Sequence, residues 1–490
     1  MKDRTFALFV ALNMLWASAA LAAIKKGPYL QNVTQGSVTV VWETDSASGG
    51  KVNWGETPQY GNVATQSGSN AMHAVELTSL NPGTTYYYMA EGDSKGGSFV
   101  TAPLPSQPFS FVVYGDNRSN QGDHQSVVDA IITEAPPLLL NSGDLVDTGS
   151  DSGQWQTFFD VEKELLRGAC LFPAVGNHEL LYDPTIQQYL KWFYLPQSPA
   201  GGEKYYSFDY GNTHFAVLNT NDLALTTTQK DWLKQDLIAA SGDPDIEHIF
   251  TMMHHGPYSA GNHGDNYSAK TAIVPVLKQF GVDMTFAGHD HSYERGEVDG
   301  LRYIVSGGGG APLYGVDKGP GTITSEKTLH YVVFNVNGGR VEGCAKRPDG
   351  STIECFGWGQ AAADAGTPDT GLDAGGQDSG TTDTGLPDAG TPDAASQTDT
   401  GPSDVPAETD ASAEDSGGQT GDDVPAADDT GGGTDAAKTD AGEPEDGDST
   451  DGHAGKKSDT GPILRPDDAS EGDAGEPGGC SCTVIDFGVR

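Results

Sequence analysis

Hydrophobic and polar residues alternate through much of residues 23–103, and this pattern predicts β-strands. The segment SVTVVWE at 37–43 places three hydrophobic side chains on one face: Val38, Val40 and Trp42. A repeat of two residues is the period of a strand with one buried face. Residues 23–103 are therefore predicted to form an all-β sandwich.

A group of tyrosines after a turn supports the same interpretation. In the segment SLNPGTTYYY, Tyr86 and Tyr88 follow the corner formed by Pro82 and Gly83. A tyrosine just after such a corner can hydrogen-bond back to the preceding turn, as in the tyrosine corner of sandwich domains. The first domain therefore resembles a fibronectin type III-like sandwich.

From residue 104 onward the pattern changes, and hydrophobic strands alternate with amphipathic helices. Strands are predicted at 109–116, 138–144, 171–179, 205–210, 213–220, 248–255 and 282–291, and helices at 124–134, 154–167, 228–240 and 269–280. This order predicts an α/β domain over 104–360, with two mixed β-sheets flanked by helices. The late segments RYIVSGGG, HYVVFNV, RVEGCA and TIECF are predicted to supply an antiparallel second sheet.

Composition separates residues 361–478 from the rest of the chain. This segment holds 30 acidic and 4 basic residues, so that 26 of the 42 net negative charges lie in it. It has few aromatic or branched hydrophobic residues, and burial cannot offset its ordering entropy. We therefore predict a disordered acidic spacer. The acidic balance of the chain also argues against nucleic-acid binding.

Both ends of the chain suggest export. Residues 1–22 have two basic residues, a hydrophobic stretch and the sequence Ala-Leu-Ala, which predicts a secretory signal peptide; a membrane anchor is the alternative. Residues 479–490 contain Cys480 and Cys482 and resemble the cysteine-led sorting tails of some Gram-negative surface proteins. The mature protein is predicted to be secreted, whether extracellular, periplasmic or attached to the cell surface.

Three further cysteines lie in the predicted folded region. Cys344 and Cys355 are symmetric about the turn RPDG at 347–350, so they would face each other in a hairpin. In an oxidising compartment this placement favours a disulfide. Cys170 precedes a hydrophobic strand and is expected to be a small buried residue.

Polar residues follow five of the predicted strands. The motifs at these strand ends are GDNR, GDLVD, GNHE, HHGPY and GHDHSYER. Each one alone has an ordinary explanation, which is a turn or helix cap for the GD and GNHE motifs and a solvated loop or a mononuclear metal site for the paired histidines. Together they supply carboxylates, an amide oxygen and imidazoles at strand ends, where functional groups of open α/β folds gather. This donor set suits borderline divalent or trivalent metals.

In this order the motifs resemble those of the calcineurin-type metallophosphoesterases, and most closely the purple acid phosphatases. The resemblance extends to GPYLQNVT, YYSFDYGNTHF, HSYER and YIVSGGGGAPLY, and so covers almost the whole of the predicted folded chain. It implies two metal ions, iron, zinc or manganese, in a β-sandwich flanked by helices.

The resemblance also implies a role for each matching residue. Asp116 and His291 would bind the first metal, Asn177, His254 and His289 the second, and Asp144 would bridge both. His178 and His263 are the candidate catalytic residues, one contacting the phosphoryl group and the other protonating the leaving group. A histidine that often follows the second of these in the family is replaced by Gly264.

The chemistry implied is hydrolysis of phosphate esters. Two cations about 3.5–4 Å apart lower the pKa of water to near 7, so that hydroxide can attack phosphorus. A phosphomonoesterase of the acid phosphatase kind is favoured. A phosphodiesterase of the same fold and an inactive surface-binding protein are the alternatives.

Three residues near the motifs have open roles. The family has a metal-binding tyrosine, responsible for the purple colour, where this chain has Asp147. Asp147 either ligates the first metal or accepts hydrogen bonds from its loop. Arg118 is a candidate for binding substrate phosphate or, alternatively, for pairing with a surface carboxylate, and His255 is a candidate for substrate binding.

Overall fold

The computed structural model describes residues 22–221 and 226–360. The predicted signal peptide (apart from Ala22), the acidic spacer and the terminus with Cys480 and Cys482 lie outside these residues. Within them no helix is both long and apolar enough to cross a membrane.

Strands and helices follow one another in the order predicted for an all-β segment and then an α/β segment. The strands are β1 (Ile24–Gln31), β2 (Ser37–Gly55), β3 (Asn62–Thr78), β4 (Thr85–Ala90), β5 (Gly97–Val100), β6 (Phe109–Tyr114), β7 (Leu138–Asn141), β8 (Cys170–Pro173), β9 (Tyr206–Tyr210), β10 (Thr213–Leu218), β11 (His248–Met253), β12 (Met284–Ala287), β13 (Tyr293–Val298), β14 (Leu301–Ser306), β15 (Thr322–Glu326), β16 (Tyr331–Asn337), β17 (Arg340–Lys346) and β18 (Thr352–Trp358). The helices are α1 (Gln121–Glu134), α2 (Ser152–Val161), α3 (Lys163–Leu166), α4 (Gln187–Trp192), α5 (Thr227–Gly242), α6 (Tyr267–Ala272) and α7 (Val274–Gln279), with a 3₁₀ turn at His178–Leu180.

The described strands form two mixed sheets, as predicted. The first sheet has the order β18-β17-β16-β6-β7-β8-β1-β2-β4-β5, with β3 also paired to β2, and the second has the order β15-β13-β14-β12-β11-β10-β9. Strands β6, β7 and β8 are parallel, as are β10, β11, β12 and β14. Their carboxyl ends define the edges at which loops meet.

The prediction that the late strands build the second sheet is wrong for three of them. Strands β16, β17 and β18 extend the first sheet, where Val333 of β16 pairs with Val112 of β6. Both partners are buried, so β16 covers the edge that β6 would otherwise expose. Of the four late segments, RYIVS alone, as β14, belongs to the second sheet, where it lies between β12, which is parallel to it, and β13, which is antiparallel.

The N-terminal strands confirm the alternation in the sequence. Val38 and Val40 are fully buried, and the hydroxyl of Tyr86 accepts a hydrogen bond from the Asn81 backbone N–H at 2.9 Å. That bond is the one expected of a tyrosine corner. Strand β1 also pairs with β8, so the N-terminal strands continue the same sheet as β6, β7 and β8.

Aromatic rings fill the space between the two sheets. The ring of Phe111 on β6 stacks on that of Phe334 on β16, with centroids 4.8 Å apart. On the facing sheet, Phe250 of β11 lies 5.8 Å from Phe111 and 5.4 Å from Phe286 of β12. Such contacts contribute about 0.5–1.5 kcal/mol each beyond the hydrophobic area they bury. This core holds the strand ends of both sheets in one fixed relation.

Two predicted helices are interrupted. The segment at 269–280 forms α6 and α7, because Pro275 lies in the first turn of α7 and lacks the N–H that a continuous helix needs. The segment at 154–167 forms α2 and α3, which meet at Glu162. The carboxylate of Glu162 is buried against His124 and Tyr114.

Both cysteine predictions for the described region are confirmed. Cys344 and Cys355 are opposite each other on β17 and β18 and form a disulfide. Cys170 is a free, buried thiol at the start of β8.

Candidate metal centre

The residues predicted from the strand ends lie together in the structure. Asp116, Asp144 and Asn177 follow β6, β7 and β8 of the first sheet, while His254 and His289 follow β11 and β12 of the second. Their motifs are far apart in the sequence, but the two sheets bring the carboxyl ends of these strands to one place. His291 lies two residues beyond His289.

Two groups of side chains could each hold a cation. Ligand atoms of Asp116, Asp144 and His291 lie within 4.8 Å of one another, and so do those of His254, His255 and His289. The Asp144 carboxylate also contacts the second group, since its Oδ1 is 3.4 Å from His254 Nε2. Asp144 therefore lies between the two groups.

The tautomers of two imidazoles are fixed by backbone carbonyls. His254 Nδ1 donates to the Ser142 carbonyl at 2.9 Å, and His291 Nδ1 donates to the Pro312 carbonyl at 2.7 Å. Each Nε2 then keeps its lone pair. For His254 that lone pair faces the Asn177 amide oxygen at 2.9 Å, so two acceptors converge. A cation between them would satisfy both, which is the usual arrangement of a metal-bound histidine.

Burial keeps these imidazoles neutral. Burial lowers the pKa of His254, His255 and His289 and lowers the pKa of His291 to about 4. A neutral imidazole is the form that binds a metal.

The carboxylates of the site carry negative charge that the described side chains only partly balance. Asp116 and Asp144 are buried, and burial together with Asp144 raises the pKa of Asp116 well above its usual range. The Arg118 guanidinium is the cation beside them, with its Nε 3.4 Å from Asp144 Oδ2. Buried carboxylates are costly unless paired with cations or metals. The donor set therefore fits two metal ions.

The backbone is strained at three of these residues. Asp116, Asp144 and His289 have φ values of +58°, +56° and +73°, in the left-handed region that side chains disfavour. Such strain costs about 1–3 kcal/mol per residue and is concentrated at functional sites. It persists here because each residue closes a sharp turn directly after a buried strand.

The glycines of the motifs give the ligands room. A Cβ on Gly176 would lie 2.1 Å from Asp144 Oδ1, and one on Gly288 would lie 2.4 Å from Asp116 Oδ2. Any other residue would displace these carboxylates. Gly176 of GNHE and Gly288 of GHDH are therefore required because a carboxylate lies close to the backbone, and not because the backbone turns there.

His178 lies beside Asp144, the carboxylate between the two donor groups. Its backbone N–H donates to Asp144 Oδ1 at 3.0 Å, and its Nδ1 donates to the Asp147 carbonyl at 2.7 Å. Its Nε2, 3.9 Å from Asp144 Oδ2, keeps a lone pair on the side of the carboxylates.

His263 is exposed, and its ring packs against that of a candidate ligand. Its ring centroid is 4.0 Å from that of His289. Beside it is a cavity of about 230 Å³, lined also by His255, Ser259 and Asn266. His255 Nδ1 is 3.2 Å from the Thr220 hydroxyl. A group bound in this cavity would be in reach of both histidines.

Asp147 contacts its own loop and the Arg118 loop. Its Oδ1 is 3.1 Å from Arg118 Nη1 and accepts a hydrogen bond from the Ser119 hydroxyl. It belongs to neither of the two groups described above. This arrangement agrees with the second of the two interpretations of Asp147, and its relation to a metal stays a prediction. Arg118 pairs with the buried carboxylate of Asp144 and with the partly exposed carboxylate of Asp147.

Two residues of the site were not identified from the sequence. The Tyr314 ring stacks on His291, with centroids 4.1 Å apart and planes 13° apart, and it lies 5.5 Å from His263. Asp290 is buried between His289 and His291 in the chain. Tyr314 is the last residue of the segment YIVSGGGGAPLY, which was noted in the sequence for its resemblance and not for a role of this tyrosine.

Comparisons with known proteins identify two kinds of domain in this chain. A family model described as calcineurin-like phosphoesterase matches residues 109–293, and one described as purple acid phosphatase, N-terminal domain, matches residues 28–112. A relative in Mycobacterium tuberculosis strain H37Rv, itself described as uncharacterized, is 27% identical over 308 residues, which are 54% of this chain and 57% of that protein. Purple acid phosphatase 23 of Arabidopsis thaliana is 29% identical over 271 residues, 46% of this chain and 58% of that protein.

A solved structure shares the fold. Purple acid phosphatase PPD1 from yellow lupin (Lupinus luteus) seeds superimposes with a TM-score of 0.60 at 19% identity, over 69% of this chain and 75% of that chain. The chain spans little more than half the length of the two sequence relatives. It nevertheless combines a purple acid phosphatase N-terminal domain with a calcineurin-like metallophosphoesterase domain, and its named plant relatives are purple acid phosphatases.

Proposed function

We propose that this chain is a metal-dependent phosphoric ester hydrolase with two metal ions, and that phosphate monoesters are its substrates. The observation that carries the proposal is the position of Asp144. Its carboxylate belongs to the group with Asp116 and His291 and also lies 3.4 Å from His254 of the second group. A carboxylate shared by two donor groups is what a dinuclear site needs.

The residues fit two ions as follows. Asp116 and His291 would hold the first, and Asn177, His254 and His289 the second, with Asp144 between them. Iron, zinc and manganese all suit these oxygen and nitrogen donors. When bound, the ions would supply Lewis acidity toward the phosphoryl oxygens and lower the pKa of water.

The side chains around this centre would bind and orient the ester. The Nδ1 hydrogen of His178 goes to the Asp147 carbonyl, so its Nε2 would donate to a phosphoryl oxygen in the imidazolium form, which carries a second N–H. Arg118 is only 15% exposed and adds positive charge beside Asp144, which reduces repulsion of an anionic substrate. Both groups would act as fixed electrostatic partners of the phosphoryl oxygens.

His263 would serve as the proton donor to the leaving oxygen. It is exposed and adjoins the cavity of about 230 Å³, where a leaving group can lie. An imidazole can deliver a proton near neutral pH, and such general acid catalysis contributes about 10²–10⁴-fold. The monoester preference rests on this histidine and on the N-terminal domain.

The test is hydrolysis by the full chain after loading with iron, zinc or manganese. We expect release of p-nitrophenol from p-nitrophenyl phosphate at a kcat/KM at least about tenfold above that for bis(p-nitrophenyl) phosphate, a gap of about 1.4 kcal/mol. The Asp144→Asn variant should lose this activity. The reverse preference would identify a phosphodiesterase. No metal-dependent hydrolysis of either ester would favour a surface-binding protein.

We further infer that the enzyme acts outside the cytoplasm. The signal sequence predicted at residues 1–22 supports export, and the disulfide between Cys344 and Cys355 suits an oxidising compartment. N-terminal sequencing of the mature protein should begin after Ala22, and an unprocessed Met1 would contradict export by this route. Attachment to the cell surface through Cys480 or Cys482 stays a prediction.

A further inference from the structure

The aspartate between the two histidines of GHDH is buried, and loop residues hydrogen-bond to both of its carboxylate oxygens. Asp290 Oδ1 accepts the backbone N–H of His263 at 2.9 Å, and Oδ2 accepts the Ser259 hydroxyl at 2.5 Å. Asp290 is only 1% exposed, so the His263 N–H and the Ser259 hydroxyl take the place of water as its hydrogen-bond donors. Buried carboxylates are stabilised by such donors.

The loop between these two contacts is wrapped closely around the carboxylate. The Ser259 oxygen also accepts the Gly261 N–H at 3.0 Å, and a Cβ on Gly261 would lie 2.4 Å from Asp290 Cγ. The loop thus passes directly over Asp290 and returns to it at His263. Outside these contacts it faces solvent, since Asn262 and His263 are both exposed.

We propose that Asp290 is a positioning residue that fixes His263 over the metal centre. This inference rests on the proposed function, in which His263 donates a proton to the leaving oxygen. Asp290 directly follows His289 in the chain, and the His263 ring lies 4.0 Å from the His289 ring. Through this hydrogen bond the Asp290 carboxylate holds the backbone of His263 close to the end of β12, where His289 lies.

The consequence concerns the leaving group rather than the metals. A proton donor displaced by about 1 Å can cost about 10²-fold in rate. That cost falls on alkyl phosphates, whose alkoxide needs a proton to leave. It should be small for p-nitrophenyl phosphate, because p-nitrophenolate leaves without one.

The experiment compares four variants of the full chain, loaded with metal, on p-nitrophenyl phosphate and on a simple alkyl phosphate. The variants are Asp290→Ala, Asp290→Asn, His263→Ala and the double variant Asp290→Ala/His263→Ala. We expect Asp290→Ala to lower kcat about 30–100-fold on the alkyl ester and less than about fivefold on the aryl ester, in the range of general acid catalysis. KM and metal content should stay close to wild type.

Two further comparisons separate positioning from a merely structural role. Asp290→Asn should recover much of the alkyl rate, because its amide oxygen can still accept the His263 N–H. On the alkyl ester the double variant should be no slower than His263→Ala, since both changes remove the same effect. Asn262→Ala, in the exposed part of the same loop, is the matched control. Its rates of hydrolysis of both esters should equal those of wild type.

Several results would overturn the inference. They are an equal loss on both esters, loss of metal in Asp290→Asn, and additive effects in the double variant. If Asp290→Ala does not fold, Ser259→Ala removes one of the two contacts and must still lower the alkyl rate more than the aryl rate. A wild type without metal-dependent hydrolysis would instead refute the proposed function.

Discussion

Arg118 and Asp147 form an ion pair, with 3.1 Å between Nη1 and Oδ1. The Asp147 carbonyl also accepts the Nδ1 hydrogen of His178 at 2.7 Å. The second acid of GDLVD therefore orients two candidate substrate-binding groups, one through its side chain and one through its backbone. It does so at the position where the purple acid phosphatases that the sequence resembles have a metal-binding tyrosine.

The first prediction concerns colour. Loaded with ferric iron, the wild-type protein should lack the visible charge-transfer band that a tyrosinate ligand gives, because position 147 carries a carboxylate. The variant Asp147→Tyr should gain that band. Visible absorption spectra of both proteins at equal iron content test this, and a band of full strength in wild type would contradict it.

The second prediction concerns the glycine before His289. Gly288→Ala should reduce the metal content and lower activity at least about tenfold, because the new Cβ would lie 2.4 Å from Asp116 Oδ2. Overpacking of this kind typically costs about 1–3 kcal/mol of stability, so the protein should still fold. Metal analysis and the melting curve check this. Gly36→Ala is the control, since no atom lies within 4 Å of the added Cβ.

The third prediction concerns pH and His214. Burial alone would lower the pKa of His214, but hydrogen bonds to Asp209 and Asp236 outweigh burial and raise the pKa to about 9. The unfolded value is about 6.5, so the added stability is fully present below pH 6.5 and is lost as pH rises through 9. It amounts to roughly 3 kcal/mol at most.

Urea unfolding of wild type and His214→Asn at several pH values tests this. The difference in free energy of unfolding between the two proteins should be large at pH 6 and small at pH 10. A difference that is constant over this range would show that the ion pairs of His214 with Asp209 and Asp236 contribute no net stability.

The fourth prediction concerns the disulfide of the last hairpin. Cys344→Ser/Cys355→Ser should lower the free energy of unfolding by about 3 kcal/mol, since the bond closes a loop with a sequence separation of 11. Metal content should not change, because β17 and β18 lie at the edge of the first sheet. Adding a reductant to wild type should reproduce the effect, and a variant as stable as wild type would refute it.

Strand-end motifs identified most of the candidate centre from the sequence. Each ligand motif directly follows a buried strand, and the carboxyl ends of parallel strands meet at one edge whatever the register. Asp116 could therefore be placed beside Asp144 on the first sheet, and His254 beside His289 on the second, without knowledge of the loops. The resemblance to the metallophosphoesterases implied that the two pairs form one centre. The tyrosine corner at Tyr86 and the disulfide of Cys344 were predictable for a similar reason, because each depends on a local turn.

Other features depend on contacts between distant segments, which periodicity does not encode. Tyr314 lies on a loop with no regular pattern, and only the folded chain stacks it on His291. Asp290 lies between two histidines in GHDH, and only the folded chain packs the loop from Ser259 to His263 on it. The sequence did not predict that β16 lies beside β6, because a buried strand has the same hydrophobic pattern whether it joins the first sheet or the second.

Metal content by mass spectrometry is the measurement to make first, on wild type, Asp144→Asn and Asp147→Ala prepared side by side. We expect about two metal ions per chain in wild type and in Asp147→Ala, and at most about one in Asp144→Asn, because Asp144 lies between the two donor groups. Fewer than one ion in wild type after incubation with iron, zinc or manganese would contradict the dinuclear centre. Two ions retained in Asp144→Asn would contradict the bridging role of this residue.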